Sequence, residues 1–331
     1  MKNILFVVAL LAGRSMVAQN VGIGTTTPKA RLHVADSAVL FTGPLFVPGT
    51  TIYDPPASGQ GARMMWYPEK AAFRAGVASA TEWDKNNIGR GSVSMGFFTL
   101  ASGETSFAMG SQNAAMGRSS TALGLATTAQ GDFSTALGFG TFAQGNSATA
   151  MGNSTSAKGK SAMAIGFKTS ARALASLSIG QYNDPIDSAN DTVWVASDPV
   201  FIIGNGTGFL SQSNAMVVYK NGNTDIDGFT QLGKAAESAP AIKMKKLTAS
   251  SATTQNGNTF AAHGVNRSKI LGVQILLSYA ANNDIPANYM DVPGYEFNWQ
   301  LTNTDVWIIT KAGNSANILN KPMRILITYE E

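Results

Sequence analysis

The 331-residue chain has no cysteine, two histidines about 230 residues apart and only 13% charged residues. Without cysteine there is no disulfide framework, no thiolate nucleophile and no residue to carry the acyl chains of a lipoprotein, so stability has to come from packing and assembly. Two lone histidines, His33 and His263, give acid–base chemistry no partner within reach, and each is expected to be structural. Beyond the leading segment no apolar stretch reaches eighteen residues, which leaves no candidate for an integral membrane anchor. Charge of one sign is also lacking. Setting aside Lys2 and Arg14 of the leading segment leaves 22 basic against 20 acidic residues, too small an excess to argue for nucleic acid as a partner. The residues contain no cofactor-binding pattern, since no Gly-Lys-Ser/Thr follows the Gly-Thr-rich stretch near Gly24.

What is abundant is glycine at a fixed interval. Gly96, Gly110, Gly124, Gly138, Gly152, Gly166 and Gly180 lie fourteen residues apart, and Gly89, Gly103, Gly117, Gly131, Gly145 and Gly159 form a second series seven residues ahead. Units such as GETSFAMGSQNAAM and GRSSTALGLATTAQ follow one template, and the seventh copy begins with Ala173 in place of glycine. A strict period of this kind marks a solenoid, in which one small unit stacks on its neighbours. Fourteen residues suit two short strands joined by two tight turns, and glycine is expected where the chain reverses, because it reaches positive φ without strain.

Along each strand the residues alternate between faces. One face carries Ser or Ala. The other carries Met109, Leu123, Leu137, Met151 and Ile165, flanked two residues earlier by Phe107, Thr121, Thr135, Thr149 and Met163. Neither face bears a charge, whereas a strand turned to water normally shows polar residues on that side. A two-strand roll can cover only one face, so the second is expected to meet a sister chain. Coils about 4.8 Å apart would make the array a rod on the order of 30 Å long.

The S-x-A-[MLI]-G core at this period resembles the head repeats of trimeric autotransporter adhesins over residues 89–180. The resemblance implies an all-β, left-handed parallel β-roll assembled as a homotrimer, exposed at the cell surface, with extracellular glycans or matrix proteins as partners. Near the amino terminus, NVGIGTTTPKARLHV, together with Arg63 to Pro68, Ala72 to Gly76 and Trp83, is similar to secreted fibre-like proteins of the Bacteroidetes type. The expected organisation is a secretory signal peptide over 1–19, with the cleavage position left open, and a β segment and cap over 20–88. The repeat head (89–180), an irregular β shaft (181–234) and a carboxy-terminal antiparallel β-sandwich (235–331) follow. In the cap, Met64, Trp66, Phe73 and Trp83 are expected to seal the open end of the roll.

Three features are candidates for ligand contact. Lys158, Lys160, Lys168 and Arg172 fall in adjacent repeats, where threefold assembly would multiply them into a basic collar for anionic glycans; solvated turns account for them as well. In the sandwich, Asn282 to Pro293, with Tyr289, and Thr310 to Lys321 are loops that could carry specificity. Asp184, Asp187 and Asp191 could hold calcium, although a solvated acidic loop is the commoner explanation because no EF-hand spacing is present. Within the repeats the only acids are Glu104 and Asp132, and no spacing points to a paired-carboxylate site.

The reading is a secreted or surface-exposed, non-enzymatic adhesin fibre. The alternatives are a receptor-binding fibre of a phage tail or contractile injection apparatus, against which the signal peptide argues, and a purely structural spacer. The end RILITYEE does not resemble four amphipathic membrane strands, so autotransport is not implied.

Overall fold

The computed structural model describes residues 20–36, 38–44, 52–186, 188–231 and 239–331. The expected signal peptide, Asp187 and the junction between shaft and sandwich at 232–238 lie outside the described residues. Among the described residues every regular element longer than three residues is a strand. The chain divides into two compact units, Met1–Gly140 and Thr141–Glu331, and the division falls inside the repeat array.

In the first unit a hairpin of Gly61–Tyr67 and Ala72–Ala78 leads into a parallel ladder through Val93–Phe97, Phe107–Ser111, Thr121–Leu125 and Thr135–Phe139. A second parallel ladder of two-residue strands joins Leu100–Ala101, Ala114–Ala115 and Thr128–Ala129. Each fourteen-residue unit is therefore one coil with a five-residue strand, a two-residue strand and two turns, as its period predicts. The second unit repeats the pattern with Thr149–Asn153, Met163–Phe167 and Leu177–Gln181, and with Phe142–Ala143, Ser156–Ala157 and Ser170–Ala171. Both units thus contain a parallel β-solenoid.

The ladders run past the recognisable repeats at both ends. Phe73 to Val77 pairs residue for residue with Val93 to Phe97, matching Gly76 to Gly96. After Gly180 the loop through residues 184–198 adds ten residues to the period, and Phe201 to Asn205 then pairs in parallel with Leu177 to Gln181, matching Gly204 to Gly180. What the sequence suggested as irregular shaft begins with one more coil, before Asn214–Tyr219 and Thr224–Ile226 add antiparallel strands to it.

The two glycine series serve different needs. Gly96, Gly110, Gly124, Gly138, Gly152, Gly166 and Gly180 have φ between +96° and +127°, a region closed to other residues, and in unit 1 a Cβ on Gly110 would lie 2.1 Å from the Gly124 oxygen. The series of Gly89, Gly103 and Gly117 does not have positive φ. It is glycine because successive coils approach so closely that a Cβ on Gly103 would fall 1.9 Å from the Gly117 oxygen. The expectation that glycine marks the reversals is corrected here, since the left-handed turn residues are mostly other types: Phe98, Gln112 and Ala126 in one turn, Thr105, Ser119 and Phe133 in the other. Each left-handed non-glycine costs about 1 kcal/mol. These are held because each donates its N–H to the preceding coil, as Gln112 does to the Phe97 oxygen at 2.8 Å and Ser119 to the Glu104 oxygen at 2.7 Å.

The carboxy-terminal part of the second unit is a sandwich of two antiparallel sheets. One contains Thr230–Gln231, Ala241–Ser250, Pro322–Glu330, Ile270–Ala280 and Asn283–Pro286, and the other Asn258–Ala262, Asp305–Thr310 and Phe297–Leu301. Between them Ile275, Leu277, Phe297, Val306, Ile308, Ile325 and Ile327 form one buried core. Strands Asn258–Ala262 and Asn283–Pro286 escape sequence reading because Asn, Asp, Ala and Pro are poor strand formers.

Candidate functional site

The roll has a side-chain-poor inside and an apolar outside. Inside, Ser94, Ala108, Ala122, Ala136, Ala150, Ala164 and Ser178 are fully buried, as are the alanines at 101, 115, 129, 143, 157 and 171. Some hydroxyls in this interior are tied to backbone, as Ser92 and Ser120 donate to the Gly89 and Gly117 oxygens at 2.6 and 2.7 Å, while those of Ser106, Ser134, Thr141, Thr155, Thr169 and Ser178 are buried without a hydrogen-bond partner. Where Asn113 replaces the usual threonine, its amide donates to the Met109 and Gly124 oxygens and accepts from Thr127 N–H at 2.9 Å.

Outside, three columns per strand face away from the interior. Met109, Leu123 and Leu137 stack in register in the first unit, and Met151 and Ile165 in the second. These side chains are half-buried or exposed, with Met109 38% and Met151 40% exposed, and beside them Phe97, Leu125 and Phe139 are 58%, 41% and 50% exposed. No charged residue interrupts the columns. The inner face is filled by the coil itself, and among the described residues the outer columns stay partly open to water.

The hairpin at the start of the roll departs from the expected seal. Met64 is 75% exposed, Trp66 is exposed and Phe73 half-buried; in register, Trp66 meets Phe73, which meets Val93, so Trp66 and Phe73 prolong the outer columns. Trp83 is buried, donating Nε1–H to the Thr99 oxygen at 2.9 Å. The group that fills the interior at this end is Arg74, opposite Ser94 and fully buried. Its guanidinium donates to the Phe73, Ser92 and Ala101 oxygens and to Ser92 Oγ at 2.8–3.1 Å. Burial pulls its pKa down to about 10, which leaves it charged at neutral pH. The signal for it was the echo of the repeat in Phe73-Arg74-Ala75-Gly76, with arginine where the template has Ser or Ala.

Of the four basic candidates, the structure brings two together. Lys168 and Arg172 line a hollow of about 300 Å³ with Tyr182, Asp184, Phe209 and Gln212, and Lys168 Nζ lies 5.8 Å from the centre of the Phe209 ring. Lys158 and Lys160 are exposed and outside that hollow, and Lys160 N–H is bonded to the Asp191 oxygen. Arg90, Glu104, Arg118 and Asp132 occupy one turn position of four successive coils with alternating sign, and Arg118 pairs with Asp132 at 3.7 Å. This ladder was visible in the fourteen-residue spacing.

In the sandwich, Tyr289 is half-buried and packs against the core. The second candidate loop is fastened to the residues that follow the first: Asn314 donates to Glu296 at 2.9 Å and accepts from Gly294 N–H, and Lys311 pairs with Glu296 at 3.7 Å. His33 accepts from Lys29 N–H, and His263 is buried and accepts from Val265 N–H at 3.2 Å. Asp184 accepts from Ile186 N–H at 3.0 Å, and among the described residues no three His, Cys, Asp or Glu side chains are grouped to hold a metal. Among the same residues no helix is long and apolar enough to cross a membrane.

The family model described as YadA head domain repeat (2 copies) matches residues 88–113, 115–141 and 143–182. Residues 88–182 carry YadA head repeats. They make up under a third of the chain. No curated protein and no solved structure searched matches the chain.

Proposed function

We propose that this protein is an exported, trimeric, fibre-like adhesin without enzymatic activity, working at or beyond the cell surface. The YadA head repeats indicate a surface fibre related to trimeric autotransporter adhesins. The observation that carries the trimer is the uncharged, half-exposed outer face opposite a completed interior. Three such faces turned to one another would remove their apolar area from water at about 25 cal/mol per Å². In this reading residues 1–19 are removed on export, 20–88 cap the roll, 89–180 form the trimeric head, 181–234 extend it and 235–331 form a binding tip.

Glycans or matrix proteins are the partners, and the basic residues of the last coils supply one contact. Lys158, Lys160, Lys168 and Arg172 from three chains would form a collar for anionic glycans. The test is retention of the full-length protein on heparin and on matrix proteins at low and high salt. The collar predicts heparin retention that falls as salt rises and is lost in a variant with the four positions changed to alanine; salt-independent retention refutes it. Failure to bind any glycan or matrix surface would leave a spacer.

A further inference from the structure

The outer face of the three-stranded sheet in the sandwich carries an aromatic pair flanked by amides. Phe260, Trp307 and Gln300 lie side by side across its three strands, and the neighbouring row is Asn258, Ile309 and Asn298. The Phe260 and Trp307 rings are nearly parallel, with centres 5.8 Å apart and planes within 17° of each other, and Phe260 is 60% exposed. Neither row contains a charged residue. Two buried polar atoms on these residues, Trp307 Nε1 and Asn298 Oδ1, have no hydrogen-bond partner. A buried indole N–H normally finds one, so a donor and an acceptor left unpaired beside the exposed Phe260 ring and the half-buried Trp307 need an explanation.

We propose that this face is a binding site for a neutral hexose unit of a polysaccharide. The C–H face of a pyranose ring is apolar and flat, and suits the open side of Phe260, while its hydroxyls both donate and accept and so suit the Asn258, Asn298 and Gln300 amides and the unpartnered indole N–H. An anionic sugar finds no cation here, and an aliphatic partner would leave the donor and the acceptor unpaired. The site lies on the sheet and not on the loops Asn282 to Pro293 and Thr310 to Lys321. It rests on the reading of the chain as a binding fibre and is separate from the basic residues of the last coils.

The experiment uses the full-length protein and measures its retardation by soluble β-glucan and mannan, with heparin as the charged comparison. One of the two neutral polymers is expected to retard the wild type to the same degree at low and high salt. Phe260→Ala and Asn298→Ala should each weaken that retardation about tenfold or more, whereas Lys168→Ala should not change it. Phe260 is exposed, so its truncation does not endanger the fold, and circular dichroism of each variant checks this. Retardation by heparin alone would overturn the hexose site while leaving the adhesin reading intact. Unchanged retardation in a folded Phe260→Ala protein overturns it too, as does an effect of Phe260→Ala on sedimentation in place of binding, which would make the face a contact between chains.

Discussion

The repeat coils and the carboxy-terminal sandwich are both made of short strands, and they are held together by opposite means. In the sandwich, large side chains such as Leu277, Phe297, Ile308 and Ile325 fill the space between two sheets, and all four are fully buried. In the coils the interior holds alanine, serine and threonine, and the stack depends on backbone hydrogen bonds and on glycines that let one coil nearly touch the next. A sheet pair with a large core tolerates small volume changes by repacking. A roll filled by methyl groups has no slack to take up. The difference also decides what each region needs from outside: the sandwich has a large apolar core of its own, while the coils carry their larger apolar side chains on the outer face.

The contrast can be broken by substitution. The largest effect belongs to Gly117→Val, whose Cβ would lie 2.0 Å from the Gly131 oxygen; a loss of more than about 4 kcal/mol is expected, measured by thermal denaturation of the full chain. Next is Ile325→Ala, which should cost about 2–5 kcal/mol and raise hydrogen exchange in the sandwich strands while the repeat strands stay protected. Ala122→Val adds two methyl groups where no space exists, and about 1–3 kcal/mol of destabilisation should appear in the chemical denaturation midpoint. The smallest change runs the other way. Ala126→Gly relieves a left-handed alanine at φ 56° and should raise stability by about 0.5 kcal/mol, because a turn that leaves glycine unused is strained by its side chain. If Ala122→Val were silent and Ile325→Ala equally mild, the distinction between the two regions would fail.

The period alone made the coil legible. Fourteen residues with two glycines specify two strands and two turns, and alternation along FAMG assigns alanine to one face and methionine to the other. Alternation left open which face is inside, and the structure places the small residues there. The ends were harder, because a cap interrupts the period by design. Arg74 occupies a position where every repeat has Ser or Ala, and its hydrogen bonds to Ser92 and Ala101 cannot be foreseen from composition. The coil at Phe201 to Asn205 was hidden by the ten extra residues before it. Among the candidate contacts, Lys168 and Arg172 share a hollow that their spacing of four did not announce, and Tyr289 packs inward. Phe260 and Trp307, 47 positions apart, become neighbours only through strand pairing across the sheet.

The assembly state tests the account most directly. Sedimentation equilibrium of the full chain at about micromolar concentration should give three times the mass of one chain, and a variant with Met109, Leu123 and Leu137 changed to serine should sediment as one, with its strand content retained. A wild-type chain that stays single and well folded at that concentration would contradict it, since the apolar columns would then face water by choice.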